Sequence, residues 1–564
     1  MIHFDKSSWR LRLLPSHKTR QSLILSFILF PLLSFAQTPL LDQMTLEEKV
    51  GQILMVHFHG EVVNEDALCL IENAHVGGFI FFNWSNGLSS PEQVQQLTLE
   101  LQAQAQQTPI GIPLFLAVDH EGSIVTRLKH GFTVYPGNGA IAKTGSPHYA
   151  LRCAKAMGEE LKAVGINMTL GPVVDVNSNL LNPIIGVRSF SVIPEVVTTF
   201  GRAALEGYRN SDTIAVLKHF PGHGDVTQDS HYDLPVVNKS IHQLTSTELY
   251  PFMNLAPHAD MIMTSHLLVP ALDPFTCATL SKTIITDLLR NKIGFQGVII
   301  SDSLVMQGLL KGCPCIEEAA IRAFEAGNDI LILGGLQLLS EKKGLELTVN
   351  QILKVYHSLL EAVKTGRISK ARLNASVARI LHLKEKYHLF DYQFPDVLEI
   401  KQKVNNAEHK KLAQEIAYHA LHADGADQLA PISYSKQKVV VLAPQATQYD
   451  INLTSLTTIG KETQVMFFRH LNPTPEEMIQ AEKLIEWADA IIVCTYNAWK
   501  NTNQAAFIHN LAQKNKPVTI IALRDPQDHA LFKEEVDVCV TTSSPDAYSI
   551  QCAIDLITGA NNAK

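Results

Sequence analysis

Cysteine is scarce in this 564-residue sequence, with eight residues at positions 69, 153, 277, 313, 315, 494, 539 and 552. None of their spacings is that of a zinc site, and Cys313-Pro314-Cys315 is too tight for a Cys-x-x-Cys redox motif. Most are expected to be buried free thiols. Long apolar runs are missing too. Ser22 to Phe35 is too short to span a bilayer; it follows Lys6, Arg10, Arg12, Lys18 and Arg20 and ends at Ser34-Phe35-Ala36. That is the layout of an export signal, residues 1–36, cut after Ala36, with an uncleaved anchor as the competing reading. A protein so exported is periplasmic or secreted and keeps no stable membrane span. Positive charge is not in excess either. The formal net charge is -8, and removing five basic and one acidic residue with the signal brings it to -12. Such a balance argues against nucleic acid as a partner. Internal repeats and low-complexity tracts are absent. With 46% apolar and 18% charged residues, the chain is globular and long enough for more than one core.

What is present is an alternation of capped helices and short apolar strands. Capping boxes at Thr45 to Glu48 and at Ser90-Pro91-Glu92-Gln93 open helices, the first running into Val50, Ile53 and Leu54. Strands are expected at Val76 to Phe82, Leu114 to Val118, Met168 to Val174, Ile214 to Leu217, Met261 to Thr264, Val298 to Ser301 and Ile330 to Leu333. At or just beyond their ends stand Asp119, Asp175, Lys218 with His219, His266 and Asp302, where β/α barrels gather their active sites. A helix from Ser369 to Tyr387 closes this unit, and a Lys-, Gln- and Asn-rich stretch, Glu399 to Lys411, serves as connector. A second alternation follows, with strands at Val439 to Leu442, Val465 to Phe468, Ile491 to Thr495, Val518 to Leu523 and Val538 to Val540. It has no Gly-x-Gly-x-x-Gly fingerprint and no phosphate loop, so no dinucleotide site is expected there. The expected fold class is thus α/β: an N-terminal β/α (TIM-like) barrel over 37–395, a linker over 396–430, and a smaller three-layer α/β sandwich over 431–564.

The densest chemistry lies in residues 218 to 235, Lys-His-Phe-Pro-Gly-His-Gly-Asp-Val-Thr-Gln-Asp-Ser-His-Tyr-Asp-Leu-Pro. Three assignments compete for it. A metal site would use His219, His223, His231, Asp225 and Asp229, but no His-x-x-x-His helical pair or Cys pair accompanies them. A purely structural loop of satisfied polar groups is the second. In the third, Asp229 orients His231 two positions on, fixing its tautomer and tuning it for proton transfer. Asp302 also has two readings, a cap on the following helix or a nucleophile. His266 lines a pocket or is a satisfied core histidine, and is left out of the candidate site.

The 218–235 loop, Val118-Asp119-His120-Glu121-Gly122, Asn182-Pro183-Ile184-Ile185-Gly186-Val187-Arg188-Ser189-Phe190 and Ile300-Ser301-Asp302-Ser303-Leu304-Val305-Met306 together resemble glycoside hydrolase family 3, in its β-N-acetylglucosaminidase branch. The resemblance spans most of residues 40 to 390. It implies that Asp302 is the nucleophile of a retaining hydrolase and that His231, paired with Asp229, is the general acid/base. It also implies that Asp119, Arg127, Arg188, Lys218 and His219 bind a GlcNAc-containing saccharide, with no metal and no cofactor. The residues do not choose between peptidoglycan fragments and chitooligosaccharides, although the family branch and the bacterial-type signal favour peptidoglycan turnover, and the oligomeric state is left open. Rival readings are a β-glucosidase or a phosphorylase of the same family, and a non-catalytic saccharide-binding protein. Two departures stand out: after Glu121-Gly122 the family usually continues Gly-Arg-Val where this chain has Ser123-Ile124-Val125, and Ser303 replaces the acidic or alanine residue often found after the nucleophile.

Overall fold

The structure is a computed structural model that describes residues 39–560 apart from 231–232, 311, 337–343, 345, 392, 394 and 424–433. Eight parallel strands close into a barrel: β1 (Leu54–Val56), β2 (Gly78–Phe81), β3 (Phe115–Val118), β4 (Met168–Thr169), β5 (Ile214–Phe220), β6 (Met261–Thr264), β7 (Val298–Ser303) and β8 (Ile330–Leu333). Each pairs with its neighbour in sequence, and β8 closes on β1 through Leu54 opposite Leu331 and Val56 opposite Leu333. Strands buried on both faces need continuous apolar runs, and β2, β3, β6 and β8 are buried at every residue.

Seven of these strands fall on the apolar runs expected from the sequence; β1 does not. The helix α1 (Leu46–Gln52) is capped as expected, Thr45 accepting from the Glu48 amide while Glu48 accepts from Thr45 at 2.7 Å. It ends at Gln52, however, and Leu54 begins the strand instead of continuing the helix. Three apolar residues are too few to show a period of two. β5, in contrast, runs past Leu217 to Phe220, so Lys218 and His219 lie within the strand rather than at its tip.

The C-terminal sheet is six-stranded: β9 (His422–Ala423), β10 (Lys438–Pro444), β11 (Glu462–Phe468), β12 (Ala490–Thr495), β13 (Val518–Ala522) and β14 (Val538–Thr541). The order is β9-β14-β13-β12-β10-β11, all parallel except the antiparallel β9, and apolar cores cover both faces. The stretch read as connector is largely helical, with Val397–Lys403 and then α2 (Ala407–Ala420). Leu412, Ala413 and Ile416 of α2 are buried in the core shared with the barrel's Ala150, Cys153 and Ala154. His409 on the same helix lies 2.8 Å from Glu160 and 3.4 Å from Glu159. The two α/β units also meet directly, through Ser544 Oγ donating to Ser123 Oγ at 2.9 Å and Gln527 Nε2 donating to the Leu180 carbonyl at 3.2 Å. Among the described residues no helix is long and apolar enough to cross a membrane, and all eight cysteines are free, five of them buried.

Candidate active site

A cavity of about 310 Å³ opens at the carboxyl ends of the barrel strands, within the size range of small-molecule sites. Its floor and one wall are apolar, from Ile80, Leu170, Met263, Val305 and Ile332. Its polar wall is built by residues on or just after four of the strands: Asp119 after β3, Arg188 in the turn after β4, Lys218 and His219 on β5, and Asp302 on β7. Arg127, on the chain leaving the short hairpin His120–Gly122/Val125–Thr126, completes it. Six of the eight residues proposed from sequence therefore surround one cavity. Asp229 is half-buried in the loop whose next residue, Ser230, lines the cavity. His231 lies outside the described residues.

The hub of the polar wall is Glu121, a residue of the Val118–Gly122 motif that was not among the expected site residues. Arg188 grips it with two parallel bonds, Nε to Oε2 at 2.9 Å and Nη2 to Oε1 at 2.8 Å. Lys218 Nζ lies 2.7 Å from Glu121 Oε1 and 2.8 Å from Asp119 Oδ1. Burial opposes the charge on Glu121, but the Arg188 and Lys218 cations overcome it and hold the carboxyl well below its ordinary range. For Lys218, burial pulls the same way against charge, and Asp119 and Glu121 together raise the ammonium above its usual value. Glu121 and Lys218 are thus both ionised at neutral pH, and Lys218, 2% exposed, is held as a fixed donor.

A second buried carboxylate stands behind the wall. Asp175, fully buried, accepts from the backbone amides of His219 at 3.2 Å and His223 at 2.6 Å, and lies 2.6 Å from His219 Nδ1. Burial works against its charge, and His219 more than compensates, so its carboxyl sits below the usual range. With Nδ1 engaged there, Nε2 is the ring nitrogen of His219 left for a ligand. His223 is lowered to about 4 by burial and by neighbouring His219; its neutral ring lies 3.0 Å from Ser230 Oγ and steadies the loop between His219 and Asp229.

Asp302 belongs to β7, and the next helix begins only at Gln307. A helix-capping role for Asp302 is therefore ruled out. Its Oδ1 accepts from the Ser303 amide at 2.7 Å. His266 does not line the cavity: its ring nitrogens lie 2.8 Å from Thr279 Oγ1 and 2.9 Å from the Ser303 carbonyl, as for a satisfied core histidine. Among the described residues no three His, Cys, Asp or Glu side chains cluster as a metal ion would require.

Sequence comparison decides the family, since the profile of the glycosyl hydrolase family 3 N terminal domain matches residues 45–383. The chain belongs to glycosyl hydrolase family 3. Within that family it is 32% identical over 502 residues to beta-hexosaminidase A of Pseudoalteromonas piscicida, covering 83% of this chain and 81% of that protein. It is 33% identical over 284 residues to the beta-hexosaminidase of Idiomarina loihiensis, covering 50% of this chain and 83% of that shorter relative. Among solved structures it resembles a glycoside hydrolase family 3 beta-N-acetylglucosaminidase from Paenibacillus sp. str. FPU-7, with a TM-score of 0.82 at 32% identity and coverage of 92% and 97% of the two chains. The last match extends through the second α/β unit.

Both departures from the family pattern have structural counterparts. Ser123 has φ +52°, the left-handed region that favours glycine, and its side chain meets Ser544 of the C-terminal unit. Ser303 Oγ donates to the Gly334 carbonyl, tying the end of β7 to the chain leaving β8 beside Asp302.

Proposed function

We propose that this protein is a retaining exo-β-N-acetylglucosaminidase that removes terminal β-linked GlcNAc from peptidoglycan fragments or chitooligosaccharides. One observation carries the reading: Asp302 shares a sugar-sized cavity with a carboxylate, two guanidinium groups, an ammonium and two imidazoles, in a chain 32% identical over most of its length to a beta-hexosaminidase. Carboxylate acceptors and fixed cationic donors suit the hydroxyl and acetamido groups of such a sugar, and the apolar wall suits its ring carbons.

In the first step the Asp302 carboxylate attacks the anomeric carbon, the bond to the leaving oxygen breaks, and His231 delivers a proton to that oxygen. In the second, His231 takes a proton from water, whose oxygen displaces Asp302 and regenerates the enzyme with retention. Asp229 orients the imidazole, an arrangement worth about 10²- to 10⁴-fold in rate. Asp119, Arg127, Arg188, Lys218 and His219 hold the sugar. The Asp175 contact fixes the His219 ring, and Glu121 fixes Arg188 and Lys218. Export rests on the basic and apolar segments of residues 1–36 and places the enzyme outside the cytoplasm.

The test is mass spectrometry of the protein treated with a fluorinated GlcNAc-type inactivator, with the adduct mapped to a peptide. An adduct on Asp302, lost in Asp302→Asn, is the expected result; an adduct elsewhere overturns the assignment. His231→Ala should slow poor leaving groups far more than activated aryl glycosides, and equal losses would contradict the acid role. The same assays in phosphate buffer, with a search for sugar 1-phosphate, separate hydrolysis from phosphorolysis.

A further inference from the structure

Trp84 has no part in the chemistry above, yet it is the sole tryptophan between residues 37 and 395, and it stands 42% exposed at the cavity wall. It sits in the four-residue helical turn Asn83–Asn86 that follows β2. Its ring stacks on Phe82, with centroids 4.6 Å apart and planes at 23°, and the Arg127 guanidinium carbon lies 5.3 Å from the Trp84 ring centroid. The neighbouring Asn83 amide donates to the Arg127 carbonyl, so the same turn anchors both ends of the arginine.

Arg127 itself is weakly held by carboxylates. Its Nη2 is 3.8 Å from Asp119 Oδ2, beyond hydrogen-bond distance, while Lys218 holds the other oxygen, Oδ1, at 2.8 Å. Its buried Nε has no partner among the described residues. The planar group is therefore aimed by an aromatic face, which fixes orientation while leaving its N–H donors unspent. Without the indole, the guanidinium is free to swing onto Asp119, and both groups would be withdrawn from the sugar.

We infer that Trp84 is a positioning residue: the Phe82–Trp84 stack holds Arg127 poised for the bound saccharide and so sets affinity in this cavity. This rests on the glycosidase reading. Trp84→Ala should raise KM for an aryl β-GlcNAc substrate by about 3- to 30-fold, the range of a partly desolvated cation–π contact, with kcat changed less than about 2-fold. Trp84→Phe, which retains a ring, should recover most of the loss. Arg127→Ala combined with Trp84→Ala should be no worse than Arg127→Ala alone, because one change already forfeits the other's effect. Free GlcNAc should also change the intrinsic fluorescence of the wild type but not of Trp84→Phe.

An unchanged KM in Trp84→Ala, or additive losses in the double variant, would overturn the inference. If the wild type does not cleave the aryl glycoside, the glycosidase reading falls first. Calorimetric titration of GlcNAc into wild type and Trp84→Ala then decides the Trp84 question by itself: equal affinities overturn it and a 3- to 30-fold loss upholds it.

Discussion

Replacing Glu121 with Gln tests the architecture of the site most directly. Glu121 is enclosed, and it is the shared partner of Arg188 and Lys218. An amide keeps the shape but brings no charge, and it turns an N–H₂ toward one of two buried cations. Breaking a buried pair from one side costs about 3–5 kcal/mol, because the abandoned charge stays out of water. Asp119 still serves Lys218, so the lower end applies, about 3 kcal/mol. At about 2.1 cal/mol/K per residue, a barrel of roughly 350 residues unfolds with about 0.7 kcal/mol/K of entropy, which makes the expected fall in Tm about 4 °C. Scanning calorimetry at pH 7 reads this. Adding Arg188→Met removes one stranded cation, so the double variant should lose less than the sum of the singles, by about 1–3 kcal/mol. The carboxyl's folded value lies below its ordinary 4.5, so its contribution is complete above that pH and lost as pH falls further; the gap between wild type and Glu121→Gln should narrow in acid. A Tm within 1 °C of wild type, together with additive losses, would refute the idea that Glu121 holds the polar wall.

At Ser123 two substitutions should part company. Ser123→Gly relieves a left-handed backbone worth about 1 kcal/mol while losing the bond to Ser544, so Tm should hardly move; Ser123→Ala keeps the strain and loses the bond, about 1 kcal/mol, and the reverse ranking would contradict this balance. For His409, burial lowers the imidazole's affinity for a proton, but the hydrogen bonds it donates to the Glu159 and Glu160 carboxylates raise its pKa to about 9. Its stabilising charge is therefore complete below pH 6.5 and lost as pH rises through 9. A Tm profile from pH 6 to 10 should fall less steeply for His409→Ala than for wild type, and parallel profiles would exclude the effect.

The barrel and the position of its candidate site were legible because most strands are short apolar runs and several of them end in, or lead straight into, a polar residue, as with Asp119 after β3 and Asp302 near the end of β7. The wiring behind the wall was not. Arg188 reaches Glu121 across 67 residues of sequence, and no local pattern marks such a pair. Asp175 was visible as a polar residue at a strand end, but its grip on His219 depends on how β4 and β5 sit side by side. β1 was hidden by its brevity. The α2 helix was hidden by Lys410, Lys411 and Gln414 on its outer face, which masked the inward Leu412 and Ile416.

That helix gives the chain its indivisibility. Leu412, Ala413 and Ile416 plug an apolar seam on the barrel, so a cut made between the two units near residue 395 would expose greasy surface instead of releasing a finished enzyme. The shorter Idiomarina relative matches only half of this chain. A trimmed version of the present protein would need new polar residues on the barrel side of that seam before it could stay in solution alone.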